Sequence, residues 1–351
     1  MGRSLKSYWK VFMPNHEITR PGPLLDAEGN LREIGWSRQP LLHYDRSKVK
    51  ANPLRIKEWD YYLVMNNHFG AAFTVSDEGY LGLESVSLLL FDEPWEHTQS
   101  VFSILPMGTL KMPPSSNRGI TQFYSRDLKV RFTVEKEGRR IQCRFKHFDK
   151  APFECDIFLT PPPAPADSIS IAIPWPKEGR FYYNRKINCM RAEGFMRFGE
   201  AKYHFDPKNS FGTLDWGRGV WTYDNTWYWS SLNCQVKGKV FGFNLGYGFG
   251  DTEAATENAL FYNGKISKLE KVIFEIPKNL YDQWHLFTLD GRLEVVMDPV
   301  LDRSANLDFK AVSSNQHQVF GMMRGRAILD GGKKVEFKDV MGFAERVHNK
   351  F

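Results

Sequence analysis

The stretch Phe211–Asn258, FGTLDWGRGVWTYDNTWYWSSLNCQVKGKVFGFNLGYGFGDTEAATEN, decides the fold. Two strands can be read inside it. Thr226 to Val236 alternates, with Trp227, Trp229, Ser231 and Asn233 on one face and Tyr228, Ser230, Leu232 and Cys234 on the other. Lys237-Gly238 suits a tight turn, and Val240 to Tyr247 alternates large and small residues. Phe241, Phe243, Leu245 and Tyr247 share one face, while Gly242, Asn244, Gly246 and Gly248 share the other. Glycine weakens a strand interior, so a row of it needs a reason. Either another layer packs closely against that face, or the row leaves room for a ligand.

Polar clusters flank this hairpin. Upstream is Asp215-Trp216-Gly217-Arg218-Gly219; downstream are Asp251-Thr252-Glu253 and Thr256-Glu257-Asn258. Carboxylates beside glycines and aromatics suit acid–base work or polar recognition; the plainer alternative is ion pairing that orders turns. Asp215 and Glu257 are the acid–base candidates. A carboxyl walled in by Trp216, Trp227 and Trp229 would have its pKa raised by desolvation. Arg218, between glycines, could grip a carboxylate or phosphate as a fork. A glycine-flanked loop is expected to turn Asp215 and Arg218 inward together, within reach of Glu257. Asn244 and Asn258 are candidate orienting groups. Gln318 and Glu345, on the closing strands, face the same interior if those strands meet the central hairpin.

Outward from this stretch the chain reads as β almost throughout. Short strand-like runs separated by turn signals fill residues 57–159, and the pattern restarts after residue 184. Asn263-Gly264 between apolar runs is the strongest short hairpin signal. Asp92 to Ser103 reads as a crossing loop or short helix. The run Pro161-Pro162-Pro163-Ala164-Pro165 is stiff and cannot join a sheet interior, so a junction is expected there. This divides the chain into residues 1–165 and 166–351, two antiparallel β-barrels in tandem, or one large two-lobed β body.

Composition sets bounds. The 351 residues are 42% hydrophobic and 25% charged, as in globular proteins; 15% are aromatic, which favours pleated surfaces. A formal charge of +6, spread along the chain without a recognition motif, implies no nucleic-acid partner. Met1–Phe12 lacks the apolar core of a signal peptide and the Ser or Thr that myristoylation requires. No apolar run approaches the ~20 residues of a membrane span. Cys143, Cys155, Cys189 and Cys234 are too far apart for a metal-type pair and read as free thiols in a reducing cytoplasm, although a Cys143–Cys155 disulfide is possible if their strands are neighbours. His16, His43 and His68 fit no metal spacing and read as structural. No dinucleotide fingerprint, Walker loop or Ser/His/Asp order appears, so no cofactor and no metal is expected.

The motifs LDWGRG (Leu214–Gly219), NLGYGF (Asn244–Phe249), ATEN (Ala255–Asn258), NGK (Asn263–Lys265), QVFG (Gln318–Gly321) and GFAE (Gly342–Glu345) resemble a bacterial family known as domain of unknown function 2804. The resemblance covers nearly the whole chain and is sharpest in its second half; it implies no activity. A weaker, architectural similarity links the chain to proteins of two lipocalin-like β-barrels, among them carotenoid hydratases and some pericyclic cyclases. Two uses follow. One is a cofactor-independent enzyme working by acid–base chemistry (hydration, isomerisation or cyclisation) on a small, partly apolar molecule in the second barrel. The other is a carrier of a lipid-like ligand, with a glycan-acting enzyme as a third choice.

Overall fold

The computed structural model describes residues 15–309 and 312–350. Met1–Phe12, the stretch read for leader and lipidation signals, lies outside the described residues. Among the described residues the chain forms one sheet of thirteen strands and a second of nine, with antiparallel neighbours in each, and a small parallel pair of Gly22–Pro23 with Leu42–His43. The first sheet runs from the edge strand Trp95–Ile104 through Leu81–Leu90, Phe69–Asp77, Ile56–Met65, Phe211–Val220, Phe181–Phe198, Ala151–Thr160, Arg139–Phe148 and Leu128–Val134 to Ile120–Tyr124. The second runs from Lys265–Lys268 through Ala259–Tyr262, Lys239–Tyr247, Asp224–Val236, Lys334–Lys350, Val312–Ile328, Leu293–Phe309 and Trp284–Thr288 to Val272–Glu275. Both sheets curl into lipocalin-like half-barrels, so the all-β tandem architecture holds. No helix among the described residues is long and apolar enough to cross a membrane.

The period of two sorts side chains into two barrel cores and the packing between the sheets. On Ile56–Met65, Tyr62 and Val64 enter the interior of the first barrel, while Tyr61 and Leu63 point the other way. On Lys239–Tyr247, Phe241, Phe243 and Leu245 fill the second barrel with Trp284, Met297 and Met323. Two further clusters take residues from both sheets: a small one around Cys189, Phe211, Val240 and Phe261, and a larger one that forms the seam between the sheets. Tyr61 meets Trp229 there at 5.8 Å between ring centroids, Phe91 meets Phe320 at 5.5 Å, and Tyr182 stacks on Phe249 at 5.2 Å.

Two expectations are corrected. The proline run does not mark the change of sheet: Ile169–Pro174, Phe181–Phe198 and Phe211–Val220 all belong to the first sheet, and the chain crosses to the second between Val220 and Asp224. Prolines end a strand, but long-range pairing decides which sheet comes next; Phe211–Val220 pairs with Ile56–Met65 across the whole of both strands. Asp92 to Ser103 is neither loop nor helix, since Trp95–Ile104 pairs along Leu81–Leu90 as an edge strand. All four cysteines are buried and free, and Cys143 and Cys155 face each other across neighbouring strands.

The hairpin is as read. Lys237 (φ 48°) and Gly238 (φ 78°) both lie in the left-handed region, as do Asn263 (φ 48°) and Gly264 (φ 82°), the signature of type I′ turns. The glycine row serves packing. The strand Phe181–Phe198 bulges at Asn188-Cys189, and Asn188 Nδ2 donates to Ser231 Oγ at 2.7 Å and to the Phe243 carbonyl at 3.1 Å. A Cβ on Gly242 would come within 2.5 Å of the Leu232 carbonyl and 2.8 Å of Cys189 Sγ. Gly242 is thus the gap into which the bulge of one barrel fits against the other. Gly242→Ala should destabilise the protein by ~1–3 kcal/mol in urea unfolding. Gly331→Ala, where nothing lies within 4 Å, should leave stability nearly unchanged; equal effects of the two substitutions would contradict this packing.

Candidate functional site

The seam carries a buried polar cluster. Phe211–Val220 is a strand, so Asp215 and Arg218 point to opposite faces, because positions three apart on a strand alternate. The expected glycine-flanked loop does not exist, and the two residues do not meet. Asp215 faces the second barrel. Arg218, with Trp216, enters the interior of the first, where both guanidinium Nη atoms donate to Asp60 Oδ1 at 3.1 Å and the guanidinium lies 4.1 Å from the Trp216 ring.

Lys186 is opposite Asp215 on the neighbouring strand. Its Nζ stands 2.6 Å from Asp215 Oδ2, 3.8 Å from Glu257 Oε1 and 4.0 Å from the centre of the Trp229 ring. The ammonium therefore joins the two expected carboxylates and is held on its third side by an indole face. Asp215 Oδ1 also accepts from Asn184 Nδ2 at 2.6 Å and from the Trp59 indole at 3.1 Å. Glu257 accepts from Asn244 Nδ2 at 3.0 Å and from the Tyr182 hydroxyl at 3.2 Å. Asn244 is fixed in turn by the Trp229 indole, which donates to its Oδ1 at 2.7 Å.

A third carboxyl completes the cluster. Glu345 accepts from the Trp227 indole at 3.0 Å and from Gln318 Nε2 at 2.8 Å, and the Tyr61 hydroxyl donates to Gln318 Oε1 at 3.4 Å. Gln318 and Glu345 are cross-strand partners, and Glu345 is opposite Trp229 on its other side. Burial pushes the Glu345 carboxyl up to about 7, against the Trp227 hydrogen bond and the more distant Arg303, which favour the charged form. Burial also raises Glu257, an effect opposed by Lys186 and reinforced by Asp215.

The structure thus brings together Asp215, Glu257, Trp227, Trp229, Asn244, Gln318 and Glu345. It leaves out three expected residues: Trp216 and Arg218 lie in the first barrel, and Asn258 holds a loop by accepting from Gly246 N at 2.7 Å and donating to the Glu270 carbonyl. The site lies in the seam, not in the second barrel, whose interior is filled by side chains. Lys186, Tyr182, Asn184, Trp59 and Tyr61 were missed. Their signal was polar residues at alternate positions in runs such as Tyr182-Tyr183-Asn184-Arg185-Lys186, where both faces carry polar groups and both are buried. Among the described residues no group of three or more His, Cys, Asp or Glu is placed to hold a metal ion.

Aromatic side chains wall the solvent side. Trp221 packs against Trp59 and Trp227, each at 5.4 Å, and Trp175 at 5.5 Å. The buried indole nitrogens of Trp175 and Trp221 have no hydrogen-bond acceptor. Trp59 and Trp227 are half-buried, and the Asp215 side chain is 13% exposed. A cleft of about 130 Å³ opens beside Trp175, lined also by Leu31, Ile34, Pro174 and Phe181; it does not reach the carboxyls.

Two measurements test this electrostatic arrangement. Glu345 has a pKa of about 7 in the folded protein and 4.5 as a free side chain, so the folded state binds the extra proton. Its contribution to stability is full below pH 4.5 and is lost as pH rises through 7, ~3 kcal/mol at most. Glu345→Gln should therefore flatten the fall in unfolding free energy between pH 5 and 7.5; an unchanged slope would contradict the buried acid. Lys186→Met should cost ~3–5 kcal/mol in urea unfolding at neutral pH by leaving Asp215 without its cation.

None of the curated proteins matches the sequence. Among solved structures, a candidate AttH protein of Nitrosomonas europaea is similar, with 14% identity and a TM-score of 0.53, over 87% of this chain and 96% of that one. Kievitone hydratase of Nectria haematococca is 12% identical with a TM-score of 0.49, over 94% and 98% of the two chains. CghA with Sch210972 is 10% identical with a TM-score of 0.44, over 95% and 98%. At such identities the AttH likeness concerns the fold alone. Residues 15–351 match the model of a domain of unknown function, number 2804, and the chain belongs to that family.

Proposed function

We propose that the chain is a cofactor-independent acid–base catalyst whose site is the seam between the two barrels. The observation that carries this reading is a charge imbalance. Three carboxyls, Asp215, Glu257 and Glu345, share one buried cluster in which Lys186 is the cation in contact. Burial raises both glutamates, Glu345 to about 7 against the pull of Lys186 and Arg303, so Glu345 keeps a proton near neutral pH.

The roles divide by environment. Asp215, against the lysine ammonium and two further donors, is the fixed anion. Glu345, with a pKa of about 7, is matched to giving and taking a proton at neutral pH. Glu257, also raised and held by Tyr182 and Asn244, is the second acid–base group. The substrate is a small, partly apolar molecule carrying an acceptor oxygen. The indole wall would stack on its apolar part, and the unpaired N–H groups of Trp175 and Trp221 would meet the oxygen. Protonation of an alkene or an enolised carbonyl from Glu345 is the step such a site supports, leading to hydration, isomerisation or cyclisation. Carriage of a lipid in the second barrel has no comparable support, since that interior is packed.

The test is deuterium incorporation from D2O into a panel of enolisable and α,β-unsaturated ketones, followed by NMR. Incorporation should fall as pH rises through about 7, the value to which burial brings Glu345. Glu345→Gln should lower the rate ~10²–10⁴-fold with the fold intact, and Asp215→Asn and Glu257→Gln should also lower it. A rate indifferent to Glu345→Gln and Glu257→Gln would overturn the reading.

A further inference from the structure

The interior of the first barrel holds a second polar cluster, unrelated to the seam. Arg139, Arg185 and Arg218 all project into it and all are at least nine-tenths buried. Arg218 has a carboxylate partner in Asp60. Among the described residues the hydrogen bonds of Arg139 and Arg185 go to neutral oxygens. Arg139 donates to the Tyr62 hydroxyl at 3.3 Å and to the Ser116 carbonyl at 2.5 Å. Arg185 donates to Ser168 Oγ at 3.0 Å, Ser116 Oγ at 3.2 Å, Asn117 Oδ1 at 2.5 Å and Gln39 Oε1 at 3.3 Å. Burial, and then the neighbouring Arg139, bring Arg185 down to about 9, an uncommon condition for a guanidinium.

One segment supplies much of this neutral satisfaction. Residues 105–119 connect the edge strands Trp95–Ile104 and Ile120–Tyr124 and are not part of any strand. From it come the Ser116 carbonyl, Ser116 Oγ and Asn117 Oδ1, and also the Pro113 carbonyl, which accepts from Arg218 Nη2 at 2.8 Å. Four uncharged oxygens of a single connection thus stand on three buried guanidiniums. The connection carries positive φ at the non-glycine residues Leu105 (53°), Met107 (43°) and Lys111 (50°), a conformation L-residues rarely take. Around it the surface is apolar: Phe102, Ile104, Leu105, Met107 and Ile120 are all exposed.

We infer that the first barrel is a binding site for an organic carboxylate with an apolar chain, and that residues 113–117 occupy the carboxylate's place when the site is empty. A carboxylate on Arg139 and Arg185 supplies the negative charge that Ser116 and Asn117 lack, in the forked geometry a guanidinium matches. The apolar chain lies along the exposed rim, on Phe102, Ile104, Leu105, Met107 and Ile120, outside the packed interior. Because the segment must withdraw first, the observed affinity is the intrinsic one reduced by the fraction of open molecules. Weakening the segment's hold therefore tightens binding.

The experiment is calorimetric titration of the full chain with octanoate, octanol and inorganic phosphate. Octanoate should bind saturably, with octanol and phosphate at least about tenfold weaker. Arg185→Gln, and separately Arg139→Gln, should weaken octanoate at least about tenfold, each checked for folding by its melting curve. Ser116→Ala combined with Asn117→Ala should tighten it several-fold. Phosphate binding as tightly as octanoate would overturn the assignment to an organic carboxylate. Octanoate affinity unmoved by both arginine substitutions, or absent in both the native protein and the Ser116/Asn117 variant, would overturn the site itself.

Discussion

The ammonium of Lys186 is the constraint on which the seam depends. Two half-barrels close on each other through aromatic faces, and closing them buries Asp215, Glu257 and Glu345 together. Without a cation among them, Asp215 would be a buried charge with no ion-pair partner, a costly arrangement. Lys186 satisfies this requirement at 2.6 Å from one carboxylate and 3.8 Å from a second, with the Trp229 ring 4.0 Å away. It cannot neutralise all three. The resulting excess of acid over base links the packing of the two barrels to their proposed chemistry.

The arrangement also explains the density of tryptophan in this part of the chain. Trp59, Trp227 and Trp229 each bury a large apolar ring in the seam and donate one N–H to the polar cluster, to Asp215, Glu345 and Asn244 respectively. Phenylalanine at any of the three would leave an acceptor short and a gap where the indole's second ring packs. Burial in this aromatic surround raises the two glutamates, and the indole, amide and hydroxyl donors limit the rise while holding each carboxyl in place. The bulge at Asn188-Cys189 fixes the two barrels against each other at the opposite side of the same strand pair.

What was legible in the sequence was local. Lys237-Gly238 and Asn263-Gly264 announce their turns because few residues tolerate positive φ, and alternation through Trp227–Cys234 sorts that strand's faces correctly. Asp215, Glu257, Gln318 and Glu345 stood out as polar residues among apolar and aromatic neighbours. Register between distant strands was not legible. Whether Phe211–Val220 pairs with Ile56–Met65 or with the following hairpin decides which barrel it joins, and no local pattern distinguishes the two. The same pairing sends Arg218 into the first barrel and Asp215 into the seam. Lys186 went unnoticed because a lone lysine in a strand usually faces water; only the apposition of a second sheet buries it.

The central claim is that the seam holds a proton on Glu345 near neutral pH. Infrared difference spectroscopy of native protein against Glu345→Gln, across a titration from pH 5 to 9, measures this directly. The account predicts a protonated carboxyl C=O band in the native protein, absent from the variant, that converts to carboxylate with a midpoint near 7. A Glu345 carboxylate already fully ionised at pH 5.5 would contradict it.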